Sequence, residues 1–93
     1  MQIKRHTNWS KVGDRVKNWH KLAVDGSHEP DIIIMWVEEN LTGEWTTRSL
    51  TDEEVITIFG RPPAGSFVHE YAFAERADYD RFRLNFGDHA GKA

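Results

Sequence analysis

The sequence predicts one α+β domain, a small antiparallel sheet of about three strands packed with helices, in the order α-β-β-α-β-α. Three features of the sequence lead to this class. Apolar residues between Trp9 and Ala23 recur at spacings of three and four, as on an amphipathic helix. Residues 66–74 alternate between apolar and other side chains, as in a half-buried strand. Thr51 precedes Glu54 by three residues, which is the capping-box pattern of a helix start.

The first element is predicted to be a helix over residues 9–23. Asn8 or Ser10 is expected to cap it, because a short side-chain oxygen can accept from the free amides of the first turn. Gly26 is expected to end it, since glycine adopts the left-handed conformation without steric cost. One stripe of this helix is apolar and should face the core: Trp9, Val12, Val16, Trp19 and Ala23.

A β-hairpin is predicted next. Residues 25–31 (DGSHEPD) have the composition of a loop, and residues 32–39 carry a continuous apolar run that indicates a strand. Residues 40–43 (NLTG) form the turn, and residues 44–50 form the second strand, at the edge of the sheet.

The second half should contain a short helix over residues 52–59 ending at Gly60, and then the strand at 66–74. Residues 76–86 fit both a strand and a helix, and we favour the helix because no turn residues precede them. Residues 1–93 form one domain, with residues 1–7 and 87–93 expected to be flexible ends.

Composition narrows the function classes. The chain has no cysteine, which excludes disulfides, thiolate zinc sites and a thiol nucleophile. Its five histidines show no metal-ligand spacing, so we expect no metal and no cofactor. No signal-peptide core is visible, and the longest apolar run, residues 32–37, is too short to cross a bilayer.

The charge is unevenly distributed along the chain. Residues 1–22 carry a net +5 and the remaining 71 residues a net −8. The cations of the first helix, Lys11, Arg15, Lys17 and Lys21, are candidate partner-binding residues, since they can meet an acidic protein surface or phosphates. A solvated outer face of a helix packed on the core is the more general explanation, because charged residues mostly lie outside. The acidic remainder disfavours nucleic acid, although a nucleic-acid-associated regulator stays an alternative.

Trp45 and Arg48 are two further candidates for partner binding. Both fall on the second strand of the predicted hairpin, where an edge strand leaves backbone groups unpaired. Aromatic anchors dominate the energetics of many interfaces, so an exposed Trp45 suits this role.

No catalytic constellation is visible in the sequence, and we expect that the protein is not an enzyme. His69 and Glu70 are neighbours on a strand, so their side chains point to opposite faces and cannot act as a pair. A small ligand-binding module or enzyme built around His69 stays open as a third alternative.

The C-terminal part resembles small early-lytic, growth-inhibitory proteins of actinobacteriophages, including mycobacteriophages. The resemblance lies in residues 73–78 (FAERAD) and 82–87 (FRLNFG), together with the small size and the Trp-, Arg- and Asp-rich, Cys-free composition. It implies a cytotoxic protein that binds and inhibits a host bacterial protein of the growth or transcription machinery in the host cytoplasm. It transfers no functional residue, and the oligomeric state stays open.

Overall fold

An antiparallel sheet with three long strands organises the computed structural model of the chain. The strands are β1 (His20–Gly26), β2 (Trp45–Ser49), β3 (Phe67–Phe73) and the two-residue β4 (Ala90–Gly91). Their order in the sheet is β2-β3-β1-β4, with antiparallel pairing throughout. The structure describes residues 6–26, 30–62, 67–87 and 90–91.

Helices cover both faces of this sheet. They are α1 (Trp9–Val12), which runs into a 3₁₀ helix (Gly13–Asn18), α2 (Pro30–Asn40), α3 (Asp52–Phe59) and α4 (Arg76–Phe86). The α+β class with a three-stranded antiparallel sheet is therefore confirmed. The predicted order α-β-β-α-β-α is consistent with the observed one, in which α2 is an additional helix between the first two strands.

The first predicted helix is shorter than expected. Gly13 adopts φ +60°, ends α1 and turns the chain into the 3₁₀ helix, which ends at Asn18. Asn8 occupies the capping position without a side-chain hydrogen bond, so the predicted cap is wrong. Gly26 ends β1 rather than a helix, because the chain is extended from Trp19 onward and His20 begins β1.

The prediction of a strand at residues 32–39, and with it the hairpin, is wrong. The segment belongs to α2, which begins at Pro30, a residue well suited to the first helical position. Ile33 and Val37 are buried at i, i+4 spacing, whereas Ile32 and Met35 are exposed. A continuous apolar run does not distinguish a strand from a helix. Of the loop predicted at 25–31, the first two residues belong to β1 and the last two to α2, and residues 27–29 lie outside the described part.

Each face of the sheet carries its own apolar cluster. Paired residues such as Leu22 and Tyr71 share a face, and the side chains on this face pack against α2 and α4. The other face holds Ala72 and is covered by α1 and the 3₁₀ helix. The larger cluster consists of Leu22, Val24, Ile33, Val37, Leu41, Trp45, Tyr71, Phe73, Phe82 and Phe86.

The second half follows the prediction. Thr51 Oγ1 accepts from the Glu54 amide at 3.2 Å and Glu54 Oε1 accepts from the Thr51 amide at 3.1 Å, so the capping box is present. Gly60 ends α3 in the left-handed conformation, at φ +73°. The strand expected at 66–74 is β3, and residues 76–86 form the helix α4.

The predicted flexible ends lie partly outside the described residues. Within the described ones, the Thr7 amide donates to the Trp45 carbonyl at 3.2 Å, and β4 pairs with Ala23 and Val24 of β1. These pairings attach both ends of the described chain to the sheet.

Candidate protein-binding surface

The first two helical segments form a platform on one face of the sheet. Val12 and Val16 are buried and pack against Ala72 of β3, and Trp9 and Trp19 pack partly buried beside them. Four of the five residues in the predicted apolar stripe are therefore on this inner side. Ala23 reaches the same face of the sheet from β1 and is fully buried. Because its inner side is packed, the platform holds its outer side chains on a fixed backbone.

The outer side of the platform is basic. Lys11, Arg15 and Lys17 are exposed there, and Lys21 lies half-buried at the start of β1. We call this set of four residues the basic face. The predicted partner-binding cations of the N-terminal segment thus belong to elements on one face of the sheet.

Between described residues, one ion pair involves the basic face. Lys17 pairs with Asp14 at 3.7 Å, with side chains 77% and 99% exposed, and an exposed pair of this kind contributes about 0–1 kcal/mol. Arg15 Nε donates to the Val12 carbonyl at 3.4 Å, and its guanidinium carbon lies 6.0 Å from the Trp19 ring centre. Both interactions leave the net positive charge of the surface in place.

An open depression adjoins the basic face. Trp9, Lys21, Arg48 and Glu70 line it, so elements far apart in sequence contribute one residue each. Lys21 Nζ donates to the Trp19 carbonyl at 3.3 Å, and the Arg48 guanidinium carbon lies 5.1 Å from the Trp9 ring centre. Two cations and one tryptophan therefore surround a carboxylate that is almost completely buried.

Arg48 joins β2 to its neighbours through two ion pairs. Its Nε donates to Glu70 at 2.9 Å and its Nη1 to Glu54 at 2.6 Å. Burial opposes the charged guanidinium, but the hydrogen bonds to Glu54 and Glu70 outweigh it and raise the pKa of Arg48. The Thr51 amide and then Arg48 lower the pKa of Glu54. Arg48 lies where an interface residue was predicted, yet much of its donor capacity is already used inside the protein.

Trp45 is not a surface anchor, and this prediction is wrong. Its strand is at the edge of the sheet, as expected, but the side chain is 1% exposed. Its indole N–H donates to Glu38 Oε1 at 2.9 Å, and the His6 ring lies 4.8 Å away. The apolar face of β2 points towards α2 and α4, so the alternation of the strand places Trp45 inside and Arg48 on the opposite face.

His69 has a hydroxyl partner in Ser49. Its Nε2 lies 3.2 Å from Ser49 Oγ, and burial lowers the pKa of the imidazole. Within the described residues, no acidic side chain contacts its other ring nitrogen, which is the contact that orients the base in a hydrolytic triad. Glu70 points to the opposite face, as the sequence predicts, and is paired with Arg48.

The described residues were also compared with the requirements of a metal site and of a membrane-spanning helix. No group of three or more histidine, aspartate or glutamate side chains is arranged to hold a metal ion within them. No helix there combines the length and hydropathy required to span a membrane.

Sequence reasoning missed the residues that complete the depression. The sequence places Glu70 beside His69 on a strand and Trp9 on the apolar stripe of a helix, and neither pattern predicts the depression. The register places Arg48 directly opposite Glu70, so correct pairing of β2 with β3 is the signal that reveals the ion pair.

Comparisons with known proteins add no relative to this picture. No protein family matches the chain, and neither a curated protein nor a solved structure shows significant similarity to it.

Proposed function

We propose that the protein binds an acidic surface of another protein through its basic face and does not catalyse a reaction. One observation supports this proposal. In α1 and the 3₁₀ helix, Lys11, Arg15 and Lys17 are exposed to solvent. Val12 and Val16 of the same segment are buried and fasten it to the sheet. A fixed backbone limits the conformational entropy that is lost when the cations meet a partner.

The charge of the other helices supports a protein partner. Asp52 and Glu53 are exposed on α3, and α2 contains three acidic residues and no lysine or arginine. A surface with separate basic and acidic regions orients a partner of complementary pattern, whereas its acidic regions repel the continuous phosphate charge of nucleic acid.

The partner that we propose is a host bacterial protein that is inhibited by the binding. This part rests on the resemblance of residues 73–87 to growth-inhibitory phage proteins, which also makes the host cytoplasm the place of action. The contact is expected at the basic face, with Lys21 and the rim of the depression at its edge.

Affinity capture from a bacterial lysate, followed by mass spectrometry, tests the proposal. The wild type is compared with a variant that carries Lys11→Glu, Arg15→Glu and Lys17→Glu. A control carries Arg61→Glu and Arg76→Glu, which reverse charges at exposed positions outside the basic face.

The proposal predicts a protein that is captured by the wild type and by the control and lost from the basic-face variant. Circular dichroism checks that all three chains are folded, and nuclease treatment of the lysate removes bridging nucleic acid. Equal capture by all three would exclude the basic face. Capture that disappears with nuclease would instead favour the nucleic-acid alternative, which a salt-sensitive gel shift would then support.

A further inference from the structure

The outer surface of α2 and α4 carries an exposed apolar patch. Leu84 is 85% exposed, Ile32 53% and Met35 47%, although leucine, isoleucine and methionine are usually buried. Trp36 is partly buried beside them and lines, with Leu84, a groove between the two helices. We call Ile32, Met35, Trp36 and Leu84 the apolar patch. It faces away from the sheet on the side opposite the basic face.

The two helices lie side by side and run in opposite directions. The Trp36 ring lies 5.2 Å from the Phe86 ring and 6.2 Å from the Phe82 ring. At the other end of the groove, Arg81 Nη1 donates to the Asn40 carbonyl at 3.3 Å. The C-terminal end of α2 therefore lies beside the middle of α4, and the groove between them follows both helices.

The charges on these two helices are opposite in sign. α2 carries Asp31, Glu38 and Glu39 without a basic residue. In α4, Asp78 is buried against the Gly43 amide and Asp80 pairs with Arg76, which leaves the exposed Arg81 and Arg83 as the remaining charges. One helix of the patch is thus acidic and the other basic.

We propose that the apolar patch is the interface of a symmetric homodimer, in which α2 of one copy lies across α4 of the other. A twofold axis along the groove places the Glu39 carboxylate of one copy near the Arg81 guanidinium of its partner. It also places Met35 against Leu84. The contact occurs twice, because a twofold interface uses the same surface on both copies. The acidic and basic helices make the surface complementary to itself.

The size of the patch sets the expected affinity. Each helix has 11 residues. At 1.5 Å per residue each is about 16 Å long, and two helices side by side are about 20 Å wide. This flat area of roughly 300 Å² is smaller than the roughly 800 Å² per partner of a standard interface. We therefore expect a weak, reversible dimer.

The dimer would present two basic faces. The apolar patch and the basic face lie on opposite sides of the sheet, so dimerisation through α2 and α4 leaves both copies of the basic face exposed. Binding to two acidic sites on one assembly would then raise the effective affinity without any new contact.

Sedimentation equilibrium over a range from about 5 to about 500 µM tests the dimer. The wild type should shift from monomer to dimer across this range, and Leu84→Asp should weaken the association at least about tenfold. Ile56→Asp is the matched control, because Ile56 is 49% exposed but lies on α3. A wild type that stays monomeric at every concentration would contradict the proposal.

A charge exchange tests the arrangement of the helices independently of the apolar contacts. Arg81→Glu opposes two carboxylates at the proposed Glu39–Arg81 contact and Glu39→Arg opposes two guanidinium groups there, so each variant alone should be monomeric. Mixing the two variants should restore association, because each α2–α4 contact then joins opposite charges. Failure of the mixture to associate while the wild type does would overturn this pairing.

The same variants distinguish a second copy from a different occupant of the patch. If the wild type is monomeric and Leu84→Asp loses a protein captured from lysate, the patch binds that protein and the homodimer is excluded. The result for the basic face is separate, since Lys11, Arg15 and Lys17 lie on the other side of the sheet.

Discussion

Replacing Arg48 with alanine removes the charged partner of Glu70. The Glu70 side chain is 5% exposed and its ion pair with Arg48 measures 2.9 Å, so the substitution leaves a buried carboxylate without its ion-pair partner. Loss of one partner from a fully buried pair costs about 3–5 kcal/mol. Arg48 itself is 33% exposed, and water can therefore replace part of the lost interaction. We expect a loss of about 2–3 kcal/mol in the free energy of unfolding.

The assay is thermal unfolding followed by circular dichroism at neutral pH. In a domain of this size each kcal/mol changes the unfolding temperature by about 4–8 °C, so the expected loss of about 2–3 kcal/mol in Arg48→Ala should lower it by about 8–24 °C. The matched control is Arg76→Ala, which breaks the exposed pair with Asp80 and should cost less than about 1 kcal/mol.

A double variant separates the unpaired charge from the loss of packing. Arg48→Met combined with Glu70→Leu removes both charges and keeps apolar volume, so its stability should return close to that of the wild type. Unfolding of Arg48→Ala at the wild-type temperature would refute the reasoning, and Arg48 would then be free to serve as an interface residue.

Three other predictions concern stability. Thr46 is fully buried and its hydroxyl has no hydrogen-bond partner in the described part of the chain. Thr46→Val should therefore increase the free energy of unfolding by about 1 kcal/mol and raise the unfolding temperature. A lower unfolding temperature would show that the hydroxyl is hydrogen-bonded. Gly43→Ala should destabilise the protein in urea titrations, because a Cβ there would lie 2.9 Å from Oδ2 of the buried Asp78, which accepts from the Gly43 amide; unchanged stability would mean that Asp78 shifts at no cost. Burial lowers the pKa of His6 and His69 below 6.5, so the folded state binds fewer protons than the unfolded state, stability is complete above pH 6.5 and falls as the pH decreases through the folded-state values. Unfolding temperatures at pH 7.5 and 5.5 should therefore differ less in a chain with both histidines replaced by glutamine than in the wild type.

The sequence predicted best where short-range signals decide the structure. The capping box at Thr51 and the glycine stop at Gly60 define α3 through local hydrogen bonds and backbone freedom. The alternation in β3 survives because one face of the strand packs on a core, and this also places His69 and Glu70 on opposite faces as predicted.

The errors arose where tertiary structure decides whether a segment forms a strand or a helix. The apolar run that became α2 fits a covered strand and a buried helix equally, and only the packing of Ile33 and Val37 against the sheet selects the helix. That error also placed Trp45 on the second strand of a β-hairpin that does not exist. Its burial depends on α2 and α4 covering one face of β2, which local sequence does not reveal.

The basic face stays a prediction as a binding surface, and the helix expected beneath it is broken at Gly13. Gly13 changes the α-helix into a 3₁₀ helix without moving Val12 and Val16 away from the sheet. The depression was not predicted, because Trp9, Lys21, Arg48 and Glu70 meet only through strand pairing.

The central claim is that complementary charge at the basic face holds a protein partner. The direct measurement is the dissociation constant of the captured partner, determined by calorimetry for the wild type and the variant with Lys11, Arg15 and Lys17 replaced by glutamate. Reversal of three interfacial charges, at about 1 kcal/mol each, should weaken binding by about 100-fold, and added salt should weaken the wild type but not the variant. Equal dissociation constants with the same salt dependence would contradict the account.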